Sequence, residues 1–202
     1  MRKHSNRTVR KHLHRAVLGL TTAALVGGTL VTPAHAATGR AKAATDWLSS
    51  QLDGGLVSTE YNLGDGSGWQ SYTDYGLSLD VYFAFDTLDV RTAKRRQIIR
   101  ALEPEVDSYT GAAFGVTYAG AVGKLLTAVQ HQGIAPANYG DGTLLTTLEG
   151  LVVENGPETG RAKDAGTSDT SNAFGQSYVA TALARAGSEW EDEAVDFLLL
   201  QQ

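Results

Sequence analysis

The sequence predicts an all-α fold, and three observations carry that expectation. Apolar residues recur at three-and-four spacing in Tyr75-Leu79-Tyr82-Phe83 with Phe85, in Val116-Ala119-Val122-Leu125-Leu126-Val129, and in Phe174-Tyr178-Val179-Ala182-Leu183, as on the buried faces of helices. No run alternates apolar and polar residues well enough to predict a strand. Trp47-Leu48, Ile98-Ile99, Leu148 and Phe197-Leu198 recur at spacings of 51, 50 and 49 residues, so the repeating unit is a helical hairpin of about 50 residues.

The elements follow in chain order. Met1–Arg15 carries six Lys/Arg, Ala16–Val31 is uncharged and mostly apolar, and Ala34-His35-Ala36 is a small-x-small cleavage site. Residues 1–36 therefore read as a secretory signal peptide cut near Ala36-Ala37, which predicts a secreted, extracellular protein. The competing reading is an uncleaved membrane anchor, but Gly27-Gly28 and Pro33 interrupt the stretch and its apolar core is short for a span.

Residues 37–202 form the repeat domain, with helices expected near 40–52, 72–88, 91–107, 115–131, 142–154, 172–186 and 189–202. Ser71-x-x-Asp74 resembles a capping box, Asn172 is placed to cap the sixth helix, and Gly133 and Gly187 follow the ends of the fourth and sixth. Pro104 ends or kinks the third, because proline lacks the N–H that a helix interior needs. Two helix types alternate, one of them richer in Gly and aromatics: "DYGLSLDVYFAF", "TYAGAVGKLL" and "AFGQSYVATAL". Such hairpins cannot bury both faces alone and must stack, as an open solenoid or as a ring of inner and outer helices.

The connections near 53–71 and 155–171 are long and those near 89–90 and 187–188 short. The long loops should gather at one end of the stack, beside the N-termini of the Gly/aromatic helices, whose free N–H groups favour polar or anionic ligand groups.

Composition narrows the function classes. All 22 Asp/Glu but only 11 Lys/Arg follow residue 36, a net charge of −11, which argues against nucleic acid as a partner. The absence of cysteine excludes disulfides, thiolate metal sites and a cysteine nucleophile. His131 is the single histidine after residue 36, too few for a Ser-His-Asp triad to be expected in a chain with no nucleophile-elbow sequence. Its position predicts a contact with a helix C-terminus. Asp86-Thr87-Leu88-Asp89 has the spacing of a magnesium–diphosphate pair but reads as a solvated helix end. The acids Glu189, Glu191, Asp192 and Glu193 open a helix, where negative charge is favourable.

The phrase Trp47-Leu48-Ser49-Ser50-Gln51-Leu52-Asp53-Gly54-Gly55 resembles the outer-helix ending of the prenyltransferase and squalene-oxidase repeat, or terpenoid-cyclase-like, α/α-toroid superfamily. Phe197-Leu198-Leu199-Leu200-Gln201-Gln202 resembles its first half, and "NAFGQSYVATALARAG" at 172–187 resembles the family's inner helix. The resemblance implies an α/α toroid, here a partial ring of about seven helices, and is closest to secreted bacterial members. In the phrase, the aromatic-Leu pair reads as core packing, Gln as a bond to backbone at a helix end, and Asp-Gly-Gly as a turn with positive φ.

The Asp-x-Asp-Asp motif of the cyclases and the Asp, Cys and His zinc set of the prenyltransferases are both missing. No catalytic residue, cofactor or metal is therefore expected. Some superfamily members carry cobalamin, so binding without catalysis is compatible with the resemblance.

The expected function is a noncatalytic protein binding a small ligand, an extracellular protein or an envelope component. The alternative is a terpenoid-cyclase-like or glycan-active enzyme using acids at the mouth of the toroid, since glycan chemistry needs convergent carboxylates. The candidate ligand-binding residues are Trp69, Tyr72, Asp74, Tyr75, Asp80, Tyr82 and Tyr178, aromatics with a few polar groups near the expected mouth. The phrase beginning at Asp196 lacks its Asp-Gly-Gly, so the domain reads as truncated. Phe197 and Leu200 would then expose an apolar edge suited to self-association.

Overall fold

Between the first two helices, where a long loop is expected, the chain builds an antiparallel sheet. The computed structural model describes residues 39–201, which belong to one compact unit, Ala37–Gln202. The signal-peptide reading of 1–36 lies outside the described residues. Strands β1 (Leu52–Asp53), β2 (Leu56–Asn62) and β3 (Trp69–Asp74) pair in the order β1-β2-β3. The fold is thus mostly helical with a small sheet, a correction to the all-α expectation.

The reason is local. Val57, Thr59 and Tyr61 share one face of β2, and β-branched and aromatic residues suit a pleated backbone. Gly54 and Gly55, with φ of 60° and 107°, form the two-residue turn that the right-handed twist of a hairpin prefers. The Asp-Gly-Gly of the repeat phrase is that turn, and Asp53 pairs with Leu56 across it.

The expected helices have counterparts: α1 (Gly39–Ser50), α2 (Tyr75–Thr87), α3 (Thr92–Leu102), α5 (Ala119–His131), α6 (Leu144–Gly150), α7 (Ala173–Ala186) and α8 (Glu191–Leu199). Pro104 acts as anticipated: α3 stops at Leu102, a tight turn spans Glu103–Glu105, and the chain resumes as the short α4 (Val106–Thr110). Helix α6 is shorter than expected. After it the chain runs irregularly, held by isolated bridges Val152↔Ala162 and Thr117↔Ala165.

Asn172 caps α7 by accepting the Gly175 N–H at 3.0 Å, and Gly187 ends it with φ 64°. At α2 the cap is Asp74, which accepts the Leu77 N–H at 2.8 Å. Ser71 lies within β3, so the expected capping box does not form.

The Gly/aromatic helices make one layer, with α2 against α5 and α5 against α7. Helices α1 and α3 pack on α2, α6 packs on α5 and α7, and α8 packs on α7. Glycine sets the closest approach: a Cβ on Gly120 would meet the Gly175 Cα at 3.0 Å, and one on Gly123 would meet the Val179 backbone N at 2.9 Å. Between the layers lie Leu79, Phe85, Ile98, Ile99, Leu125, Leu126, Leu148 and Leu183, all buried. Full burial of such side chains contributes about 1.5–3 kcal/mol each before the entropy of ordering is subtracted.

The aromatic-Leu pair of the phrase only partly serves the core. Trp47 is 62% exposed, while Leu48 and Leu198 pack against the core from its margin. The glutamine behaves alike in both copies, with Gln51 Nε2 donating to the Trp47 carbonyl at 3.5 Å and Gln201 Nε2 to that of Phe197 at 3.4 Å. Leu200 is exposed, as expected for an apolar edge, but Phe197 is half-buried.

Candidate binding surface on the inner helices

The N-termini of α2, α5 and α7 are where polar or anionic ligand groups are expected, but the chain supplies its own acceptors there. Asp74 serves α2 and Asn172 serves α7. At α5, Asp164 accepts the Ala119 N–H at 2.9 Å with one oxygen, and the other takes the Thr170 N–H at 3.0 Å and its hydroxyl at 2.7 Å. The segment 164–172 therefore covers the adjoining N-termini of α5 and α7. The cavity left there, lined by Tyr118, Gly120, Asp164, Ser171 and Gly175, is about 130 Å³, below the usual range for an organic ligand.

The seven candidate residues do not converge on one site. Trp69 and Tyr72, three apart on β3, point to opposite faces of the sheet and cannot line one pocket. Trp69 is 71% exposed, and Tyr72 meets the Tyr61 ring edge-on at 5.4 Å. Asp74 is committed to its cap and also accepts the Thr59 hydroxyl at 3.2 Å. Tyr75 donates to Glu105 at 2.8 Å and lies edge-on to Tyr109, linking α2 to the segment after α3. Burial, and next the hydrogen bond to Glu105, pushes the Tyr75 pKa up.

Tyr82 corrects the expectation outright: it is fully buried in the core, and its hydroxyl has no hydrogen-bond partner among the described residues. Burial, followed by the charge of Asp86, pushes its pKa upward. On a helix, neighbouring residues point about 100° apart, so Phe83 emerges where Tyr82 does not.

Asp80 and Tyr178 do come together, through a residue not singled out in the sequence. Lys124, only 9% exposed, sits among the apolar residues of α5, donates to the Gly76 carbonyl at 3.0 Å and pairs with Asp80 at 2.6 Å. Its ammonium lies 5.8 Å from the centre of the Tyr178 ring, within cation–π range. Tyr178 stacks on Phe83 at 5.6 Å with the planes 29° apart, and Phe174 meets Tyr178 edge-on at 5.5 Å. The result is an aromatic ladder, Phe174–Tyr178–Phe83, crossing from α7 to α2 over the Lys124–Asp80 pair.

Phe174 at its end is 72% exposed. Burial, then Asp80, pushes the Tyr178 pKa up. A lysine inside "GAVGKLLTAV" was the legible signal for this site, since a lone charge in an apolar helical stretch needs a partner.

His131 extends the ladder, edge-on to Phe83 at 6.2 Å, while its Nδ1 lies 2.8 Å from the Asp86 carboxylate. Asp86 also binds Arg95, whose guanidinium reaches Asp89 at 3.1 Å. The pair expected as a solvated helix end is instead divided: Asp86 is largely enclosed in a clamp joining α2, α3 and α5, and Asp89 is exposed. Among the described residues, no serine or threonine hydroxyl bonds to His131, and no group of three or more His, Cys, Asp or Glu side chains is arranged to hold a metal ion.

A shallow groove of about 710 Å³ lies at the C-terminal ends of α5 and α7, lined by Gln130, Ile134, Pro136, Leu145 and Arg185. No helix among the described residues is long and apolar enough to cross a membrane. No protein-family model, curated protein or solved structure matches the chain.

Proposed function

We propose that this is a secreted, noncatalytic binding protein of α/α-toroid type, and that the ladder Phe174–Tyr178–Phe83 receives a small ligand or an envelope component. The observation that carries this reading is the ladder itself. It begins at an exposed phenylalanine and runs over a lysine–aspartate pair, the combination of apolar faces and few polar groups that orients ligands. The toroid part rests on the resemblance of the repeat phrase and is compatible with the two helix layers. Secretion rests on the composition of residues 1–36.

The catalytic alternative draws less support. Asp74 is occupied as a cap and Asp80 is paired with Lys124. The test is a ligand-observed NMR screen against β-linked amino-sugar oligosaccharides, muropeptides and C15 isoprenoid alcohols. A hit should disappear on Tyr178→Ala and survive Trp69→Ala. Retention of the hit in Tyr178→Ala, or steady conversion of any probe to product, would count against the reading.

A further inference from the structure

Strand β3 leaves one side of its backbone open, and we propose that this edge, Trp69–Thr73, accepts an extended cationic peptide segment as a fourth strand. The alternation of an antiparallel ladder identifies the open groups. Val57 sends its N–H past the end of β3 to the Ser78 hydroxyl at 2.9 Å, so Val57, Thr59 and Tyr61 face β3. Their partners Asp74, Tyr72 and Gln70 face inward. The N–H and C=O groups of Trp69, Ser71 and Thr73 then point away from the sheet, and among the described residues the N–H groups of these three have no partner.

Natural sheets blunt such edges with lysine, proline, bulges or a covering element. Trp69-Gln70-Ser71-Tyr72-Thr73 has neither lysine nor proline, its register with β2 is unbroken, and Trp69 through Tyr72 are exposed.

Charge identifies the occupant. Leu52–Asp74 carries Asp53, Glu60, Asp65 and Asp74 and no Lys or Arg. Asp65 at the hairpin tip is held below the usual carboxylate range by the Ser67 hydroxyl and N–H, so its charge persists into mild acid. Glu60 is opposite Ser71 and shares a face with Trp69. An added strand would lie ~4.8 Å from β3 and about twice that from β2, within reach of a long side chain. On that face a lysine or arginine would find the Glu60 carboxylate and the exposed Trp69 ring, a cation–π partner. On the other face, apolar side chains would cover Tyr72 and its neighbour Tyr61. The ligand class is therefore an extended segment alternating basic and apolar residues, held by main-chain hydrogen bonds as in other strand additions. This surface is separate from the aromatic ladder.

The test is a titration of the ¹⁵N-labelled protein with the peptide Ac-Val-Lys-Val-Lys-Val-Lys-amide, its glutamate counterpart, and a lysine peptide N-methylated at alternate residues. The lysine peptide should shift the Trp69, Ser71 and Thr73 amides. Binding should weaken at least about tenfold with either control peptide, and should weaken as salt rises. Ser71→Pro removes an outward N–H without touching the β2–β3 bonds and should abolish binding. Glu60→Gln, a surface change that leaves folding intact, should weaken the lysine peptide about threefold or more. Tyr178→Ala should change none of these shifts.

Equal binding of the N-methylated peptide, equal binding of the glutamate peptide, or no shift at millimolar peptide overturns the proposal. So does a dimer that Ser71→Pro converts to monomer, which would make a second copy the occupant.

Discussion

Replacing Gln176 by leucine tests how the irregular segment after α6 is fixed to the helices. Gln176 is 4% exposed and makes three bonds: its Oε1 accepts the Ala162 N–H at 2.9 Å, and its Nε2 donates to the carbonyls of Gly160 at 2.9 Å and Ala194 at 3.3 Å. One amide thus ties α7 to both the 160–162 strap and α8. Leucine fills similar volume, so the cavity contribution is small and the effect isolates hydrogen bonding. The change orphans the N–H of the buried Ala162 and removes a donor from two carbonyls. At about 1–3 kcal/mol for a buried group left unsatisfied, and less for carbonyls that can find water, the total is about 3 kcal/mol.

For a domain of this size that lowers Tm by about 10 °C. Urea and thermal unfolding of Gln176→Leu beside the parent protein measure it. A loss below about 1 kcal/mol, or a gain, would refute the reasoning that this amide holds the strap.

Other perturbations separate further contacts. Gly160→Ala should cost at least about 2 kcal/mol, because φ is +89° and a Cβ would collide with the Glu193 carbonyl, so urea unfolding should show a lower midpoint. Gly123→Leu should force α5 from α7 and abolish cooperative thermal unfolding, since even a Cβ there crowds the Val179 backbone. Asp169 lies below its ordinary pKa of 3.8, chiefly through the Ser171 hydroxyl, and pairs with Arg161 at 2.7 Å. A folded pKa below the unfolded one adds stability above 3.8 that is lost as pH falls through the folded value. Asp169→Asn should therefore flatten the acid limb of urea midpoints measured from about pH 7 to about pH 3.

The helices were legible because burial there is periodic: Leu79, Val122, Leu126, Val179 and Leu183 mark the inward stripe in sequence and in space. The sheet was not, because burial along β2 fully encloses Val57 alone and most of β3 is exposed, so the hairpin carries little hydrophobic alternation. Its turn chemistry, Asp53-Gly54-Gly55, is legible as a turn with positive φ, but a turn alone does not show that strands flank it. The site was legible by composition and not by direction. Counting aromatics selects Tyr82 and Tyr178 alike, yet the first faces the core and the second joins the ladder. Lys124 and Gln176 escaped notice because a polar residue in an apolar stretch names no partner until the tertiary fold supplies one. Asp86 and His131, 45 residues apart, meet only through helix packing.

The most direct test of the binding account is an aromatic ¹³C NMR titration, following the Phe83, Phe174 and Tyr178 ring signals against the saccharide, muropeptide and isoprenoid probes. The account predicts saturable shifts confined to those rings and the Lys124 side chain for at least one probe class, abolished by Tyr178→Ala. Ring signals that stay fixed with every class, or move equally in Tyr178→Ala, would contradict it.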